Sequence, residues 1–255
     1  IVPQKTCYVI EIVYSKELAQ ETQGYSAAID LGLSNLMTAT SNNPGVKPLV
    51  VNGKPLKAIN QLFNKRKARA QSVEAHRQVL DLVHKRNNRV SNYLHTASRR
   101  VIDWCLALGI SRLIVGKNDG WKQDINIGKS NNQQFTAIPH TRLIQMLEYK
   151  GALVGIKVMT TEEAYTSKAS ALDGDALPKY REATPRFSGK RIKRGLYRSG
   201  TGRFINADVN GSLNIGRKVI PDFMKGIEGL PFIPVVVDPL RMHKSCLCLT
   251  LTRYG

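Results

Sequence analysis

Acidic side chains are scarce in this chain: 19 Asp and Glu stand against 38 Lys and Arg over 255 residues, a formal charge of +19. Such an imbalance points to a polyanionic partner, because each phosphate contact releases counterions and adds affinity. A merely solvated basic surface and an anionic membrane surface are the plainer alternatives; nucleic acid is the reading favoured on charge. Cysteine is scarce as well. Cys7, Cys105, Cys246 and Cys248 are the whole set, and no two form a CxxC pair. That excludes a zinc ribbon, gives no disulfide framework, and fits a reducing cytoplasm. Cys246 and Cys248 read as doing nothing specific. No apolar run approaches the roughly 18–20 residues of a membrane helix, and no signal-peptide pattern is present. The five histidines, His76, His84, His95, His140 and His243, have no ligand spacing. Of the two tryptophans, Trp104 reads as core and Trp121 as a loop anchor. What is present is 42% hydrophobic residues, enough for a packed core.

Apolar patterning sets the order of elements. Residues 7 to 14, rich in β-branched and aromatic side chains, predict a strand. Further strands are expected at Tyr25 to Leu31, Leu36 to Ser41 and Pro48 to Asn52, with turns at Gly32–Asn35 and Asn42–Gly45. From Leu56 to Leu108 the period becomes helical, and Val90, Tyr93, Leu94, Ala97, Val101, Trp104, Cys105 and Leu108 form one stripe. Two helices in a hairpin, breaking near Asn87–Asn88, are expected. A buried strand at Ser111 to Val115, a loop from Gly116 to Gln134, a helix from Pro139 to Leu153 and a strand from Ile156 to Thr161 follow. Residues 165 to 203 are basic and poor in large apolar residues; a last helix runs from Asn206 to Val219, and Pro221 onward reads as a loosely packed tail. This order is that of an α/β, RNase H-like mixed sheet with flanking helices, although other mixed sheets would read similarly. The chain begins at Ile1 rather than Met, which reads as part of a longer protein.

Four carboxylates stand where chemistry could use them. Asp30 ends an apolar strand, Ala27 to Leu31, where burial of its charge requires a cation or donors beside it. A turn aspartate before Gly32 is an equal reading of that segment. Asp208 opens a helix, where aspartate also serves routinely as a cap. Glu162 and Glu163 follow a strand, and alternation aims only one of them at a given face; solvated loop carboxylates would look the same.

Taken together, several motifs resemble the TnpB family of transposon-encoded, RNA-guided DNA endonucleases. They are Ile29-Asp30-Leu31-Gly32-Leu33-Ser34-Asn35-Leu36, Val51-Asn52-Gly53-Lys54-Pro55-Leu56-Lys57, Tyr149 to Val158, Glu163-Ala164-Tyr165-Thr166-Ser167-Lys168-Ala169-Ser170, and Ala207-Asp208-Val209-Asn210-Gly211-Ser212-Leu213-Asn214-Ile215. The likeness runs from about Ile12 to Ile220, and type V CRISPR effectors share the nuclease fold. It implies a RuvC-like site of three acids holding two Mg²⁺ about 3.5–4 Å apart, one activating water and one stabilising the leaving oxygen. By motif, Asp30 is the first acid and Asp208 the third. The usual second acid is a glutamate ending the strand at 111–115, where this chain has Gly116. Some relatives, and the eukaryotic Fanzor proteins, resemble a variant in which that glutamate moves to the next strand, the position of Glu163. Asp119 and Glu162 are weaker stand-ins.

The resemblance also implies two CxxC pairs between the second and third acids, and these are missing. Ser167 to Ser170 occupies the first pair's place, and the basic run Phe187 to Gly195 fills the gap, so no zinc is expected. A metal-free insert of that size must be held by packing or by nucleic acid. The domains expected are a terminal strand of a truncated wedge domain at 1–22 and a nuclease core at 23–164 carrying a helical hairpin at about 56–108. A basic insert at 165–204, the third nuclease segment at 205–220 and a tail at 221–255 complete them. Lys65, Arg66, Lys67, Arg69, Lys85, Arg86, Arg89, Lys190, Arg191, Lys193 and Arg194 are expected to contact nucleic-acid backbone, although charge runs are usually only solvated faces. Guide RNA and target DNA are the implied partners, with sequence choice left to pairing. The alternative is a catalytically inactive, RNA-guided DNA-binding protein derived from the same family.

Overall fold

The computed structural model describes residues 1–3, 7–117, 137–183, 185–230 and 232–240. Asp119, Trp121, His243, Cys246 and Cys248, most of the predicted 116–134 loop and the end of the tail lie outside these residues. The centre is a sheet built from β3 (Tyr25–Leu31), β4 (Asn35–Ser41), β5 (Leu49–Asn52), β6 (Ile110–Gly116), β7 (Lys157–Thr161) and β11 (Val235–Val237), in the order β11-β5-β4-β3-β6-β7. β3, β4 and β5 form an antiparallel meander, while β6 and β7 run parallel to β3. Short turns permit the first arrangement; the helical crossovers α2 (His76–Ala107) and α3 (His140–Ala152) produce the second. This is the mixed α/β, RNase H-like order expected from the sequence.

Strand alternation divides the core in two. Ala27, Ile29, Leu31, Leu113 and Val115 face a layer made by α2, α3 and part of α1 (Lys54–Ser72). Ala28 and Ile114 face the opposite way, onto Val209, Leu213 and Ile215 of α4 (Ala207–Val219). Asp30, one step past Ile29, therefore falls on the α4 side, as does Gly116, two steps past Ile114.

Three sequence expectations need correction, for the strand at 7–14, the hairpin break and the tail. The strand at 7–14 is reduced to β2 (Tyr8–Val9), paired only with β1 (Val2–Pro3), and Ile10, Ile12, Val13 and Tyr14 are exposed. β propensity without a partner strand does not hold an extended segment. The helical hairpin breaks at residues 73–75, where Glu74 adopts a φ of 51°, and not at Asn87–Asn88. Asn88 bonds His84 one turn back, and Asn87 accepts from Arg86, so both are accommodated within α2.

The basic insert is ordered as an antiparallel sheet of β8 (Lys190–Lys193), β9 (Leu196–Arg198) and β10 (Phe204–Asn206). Two aspartates hold it. Asp173 accepts from Ser188 Oγ, Gly200 N, Thr201 N and Thr201 Oγ1, and Asp175 from Ser170 N, Ser188 N and Ser188 Oγ. Finally, the tail is not loose over its described part. Phe223, Met224 and Ile227 are buried against α4, and β11 pairs parallel with β5. A sequence reading weighs local turn residues, and this pairing joins segments separated by most of the chain.

Candidate active site

Asp30 near the end of β3, Gly116 at the end of β6 and Glu163 two residues beyond β7 all lie at the carboxyl ends of parallel strands. Open α/β sheets commonly gather ligands at that rim. Helix α4 closes the site from the other side. Its cap is Asn206, whose Oδ1 accepts from Asp208 N at 2.9 Å and Val209 N at 3.2 Å. The capping role is thus filled by a neighbour, and the Asp208 carboxylate is turned to other use. Its Oδ2 accepts from Asn35 Nδ2 at 2.7 Å, and its Oδ1 lies 3.8 Å from Arg191 of β8.

Two glycines make room for the carboxylates. A Cβ on Gly211, one turn after Asp208, would stand 3.0 Å from Asp30 Oδ2. One on Gly116 would stand 2.9 Å from Glu163 Oε2 and 2.6 Å from Ile215 Cδ1. The residue at the end of β6 therefore leaves a hollow that the Glu163 carboxylate enters from the neighbouring strand. α4 is locked onto β3 just beyond, where Ser212 Oγ donates to the Ala28 carbonyl at 2.8 Å and shares a 2.9 Å hydrogen bond with Thr40 Oγ1.

The electrostatics follow from this packing. Burial pushes the Asp30 carboxyl well above the usual carboxylate range, the negative fields of Glu163 and Asp208 add to the rise, and Arg191 opposes it. Burial lifts Glu163 to about 7, against the field of Lys218. Glu162 behaves oppositely. Its hydrogen bond from Lys218 at 2.8 Å holds its carboxyl below the usual value despite partial burial. The fields of Glu163 and Asp208 thus both reach Asp30, whereas Glu162 is paired with Lys218. Among the described residues no three His, Cys, Asp or Glu side chains form a ready-made ion cage. The chemistry of the donors still suits a hard cation: three carboxylates, two of them with the ionised form disfavoured, and a glycine cradle that admits one of them.

Of the basic residues picked out by sequence, Lys65, Arg66, Arg69, Lys85 and Arg89 are exposed on α1 and α2, and Lys67 is half-buried over Phe63. Arg86 is committed inside the hairpin, donating to Asn60 Oδ1 at 2.8 Å, Asn87 Oδ1 at 3.0 Å and the Ala137 carbonyl at 2.5 Å. Lys190, Arg191, Lys193 and Arg194 are all exposed on or beside β8; Arg191 lies 3.8 Å from Asp208, and Arg194 reaches Ser34 Oγ at 2.8 Å. Sequence reasoning missed Asn35 as a partner of Asp208. Its signal was a lone amide directly after the turn that follows Asp30. It also missed Lys218, which reads as an ordinary cation in a helix's last turn.

Comparison with known proteins agrees with the sequence resemblance. Residues 9–122 match the family model OrfB_IS605, described as a probable transposase, and residues 140–215 match the Cas12f1-like TNB domain. A curated relative, the CRISPR-associated endodeoxyribonuclease Cas12f2 of a Micrarchaeota archaeon, is 23% identical over 223 residues. That alignment covers 84% of this chain and 40% of the relative. Two solved structures share the fold at 16% identity: a Cas12f1–sgRNA–target DNA complex, with a TM-score of 0.54, and a CRISPR-Cas12f ternary complex, with 0.56. The first match covers 75% of this chain and 49% of the other; the second covers 80% and 41%. The chain thus spans less than half the length of these relatives. Among the described residues, no helix is long and apolar enough to cross a membrane.

Proposed function

We propose that this chain, which matches the OrfB_IS605 family model over residues 9–122 and the Cas12f1-like TNB domain over residues 140–215, carries the catalytic site of an RNA-guided DNA endonuclease. One observation carries this reading. Carboxylates from beyond β7 and from α4 both act on the buried Asp30 of β3 at the sheet rim, and Gly116 leaves the space that Glu163 fills.

Asp30, Glu163 and Asp208 would hold Mg²⁺ through oxygen donors, and the metal would activate a water and stabilise the leaving oxygen. A divalent cation would favour the ionised carboxylates that burial disfavours. The protein's own share is positioning. Asn35 fixes the Asp208 carboxylate, the Ser212 hydroxyl pins α4 against β3, and the Gly116 hollow orients Glu163. The exposed Lys190, Arg191, Lys193 and Arg194 bring a phosphodiester backbone past the site, and Lys65, Arg66, Lys67, Arg69, Lys85 and Arg89 contact RNA or a heteroduplex by shape and charge. Target choice comes from guide pairing.

The test is plasmid cleavage by the protein with its co-purified RNA, comparing wild type, Asp30→Ala and Glu163→Gln, with Mg²⁺ and with EDTA. Cutting by wild type alone, and only with metal, is expected. Guide-dependent binding without cutting by wild type would instead identify an RNA-guided binder that has lost its second acid at Gly116.

A further inference from the structure

Two adjacent glutamates follow β7 and make different contacts. Glu163 enters the hollow beside Gly116; Glu162 Oε1 accepts from Lys218 Nζ at 2.8 Å and its Oε2 from Tyr180 N at 3.3 Å. The Lys218 side chain is only 6% exposed and also donates to the Pro178 carbonyl at 3.3 Å. An ammonium is not buried to that extent unless its partner holds it there. A lysine serving only the helix dipole would keep its head in water.

Lys218 lies in the last turn of α4, the helix whose first turn carries Asp208. Ten helical residues separate the two by about 15 Å along a rigid axis. The same helix therefore presents the third acid directly and grips the residue next to the second. Residues 162–163 stand beyond the last ladder pair of β7, Gly116 with Thr161. Lys117 N still donates to the Thr161 carbonyl at 2.8 Å, and the Glu163 carbonyl accepts from Thr166 Oγ1 at 2.8 Å, so the Lys218–Glu162 pair adds a side-chain anchor between these backbone contacts.

We propose that the Lys218–Glu162 ion pair is a positioning device that aims Glu163 into the metal site, coupling it through α4 to Asp208. The inference rests on the reading of Glu163 as a metal-holding acid. Losing the pair releases residue 163 from its orientation and weakens cation binding, while the fold, held by the sheet and by the face of α4, persists. Lys218 and Glu162 touch neither metal nor substrate; they act through the backbone at 162–163, and the field of Lys218 also reaches Glu163.

The readout is Mn²⁺ affinity of the purified 255-residue chain without nucleic acid, from the electron paramagnetic resonance signal of free Mn²⁺, with melting temperature recorded alongside. Lys218→Met and Glu162→Gln are each expected to weaken Mn²⁺ binding about tenfold, the lower end of the loss seen when a residue supporting a metal ligand is changed. The exchanged pair, Glu162→Lys with Lys218→Glu, is expected to recover most of that loss. Should Lys218→Met melt early, the near-isosteric Glu162→Gln decides. Wild-type Mn²⁺ affinity in Glu162→Gln, with Glu163→Gln impaired, overturns the positioning role and leaves the site reading standing. Equal Mn²⁺ binding by wild type and Glu163→Gln overturns the site reading and this inference together.

Discussion

Gly116→Ala separates packing from chemistry at the centre of the site. The added methyl would lie 2.6 Å from Ile215 Cδ1 and 2.9 Å from Glu163 Oε2. The first contact is with a packed core side chain, and overpacking of that kind costs about 1–3 kcal/mol. The second is with the free end of a flexible side chain, which relieves it cheaply by swinging aside. A carboxylate displaced by about 1 Å can lower turnover on the order of 10²-fold. Adding Ile215→Val removes the Cδ1 methyl and so the harsher contact, at an intrinsic cost of about 0.5–1.5 kcal/mol. The double variant should regain most of the melting temperature lost in Gly116→Ala and none of the cleavage. The assay is guide-dependent plasmid cutting in Mg²⁺, scored against a thermal melt of the same preparations. Cutting at the wild-type rate by a double variant with Ala at 116 would refute the claim that the missing side chain is what admits Glu163.

Three further outcomes follow from contacts elsewhere. Asn35→Ala removes the 2.7 Å donor to Asp208 and should lower cleavage about tenfold, while stability measured in urea changes by about 1 kcal/mol, the usual worth of one hydrogen bond. Burial alone would raise the Asp173 carboxyl, but its hydrogen bonds from Ser170, Gly200, Ser188 and Thr201 outweigh it and hold it at about 2, below the ordinary 3.8. A depressed carboxylate contributes stability that is complete above 3.8 and lost as pH falls toward 2, so acid titration should loosen the β8–β10 sheet in that window. Asp173→Asn should flatten the dependence by about 1 kcal/mol once solvent screening is allowed for, as read by proteolysis of the insert. Replacing Lys65, Arg66 and Arg69 together by Ala should reduce the salt slope of RNA binding by roughly 2–3, since each phosphate contact contributes roughly 0.7–0.9; an unchanged slope would show a merely solvated face.

Much of the sheet was legible because burial on one face writes itself as alternation. Tyr25–Leu31 matches the sequence reading at both ends. Asp30 could be picked out as a carboxylate ending an apolar strand, whereas Asp208, among Asn206, Asn210 and Ser212, reads as a helix cap without the family resemblance. The pairing of Glu163 with the hollow at Gly116 was legible only through resemblance, because proximity between neighbouring parallel strands depends on register, here Gly116 opposite Thr161. The hairpin break was misread for a related reason. Asparagines weaken a helix by only tenths of a kcal/mol each, less than the packing of Val90 to Trp104 returns, whereas the positive φ at Glu74 has no residue-type signature. Lys218 stayed invisible because its partner is 56 residues away in sequence. The aspartates that hold the insert likewise bond serines, a threonine and backbone amides, residue types that carry no spacing rule.

The pairing of β11 with β5 also sets the order in which the molecule can be assembled. Val235, Val236 and Val237 lie against Leu49, Val50 and Val51, so one rim of the sheet has no neighbour until nearly the whole described chain exists. A growing polypeptide thus carries an apolar strand with unsatisfied amides and carbonyls through most of its synthesis, the condition under which strand edges recruit wrong partners. Such distant parallel pairing forms late and slowly. Chains cut short before Val235 would complete every part of the acidic site and still present that rim to one another, making solubility more sensitive to the last valines than catalysis is.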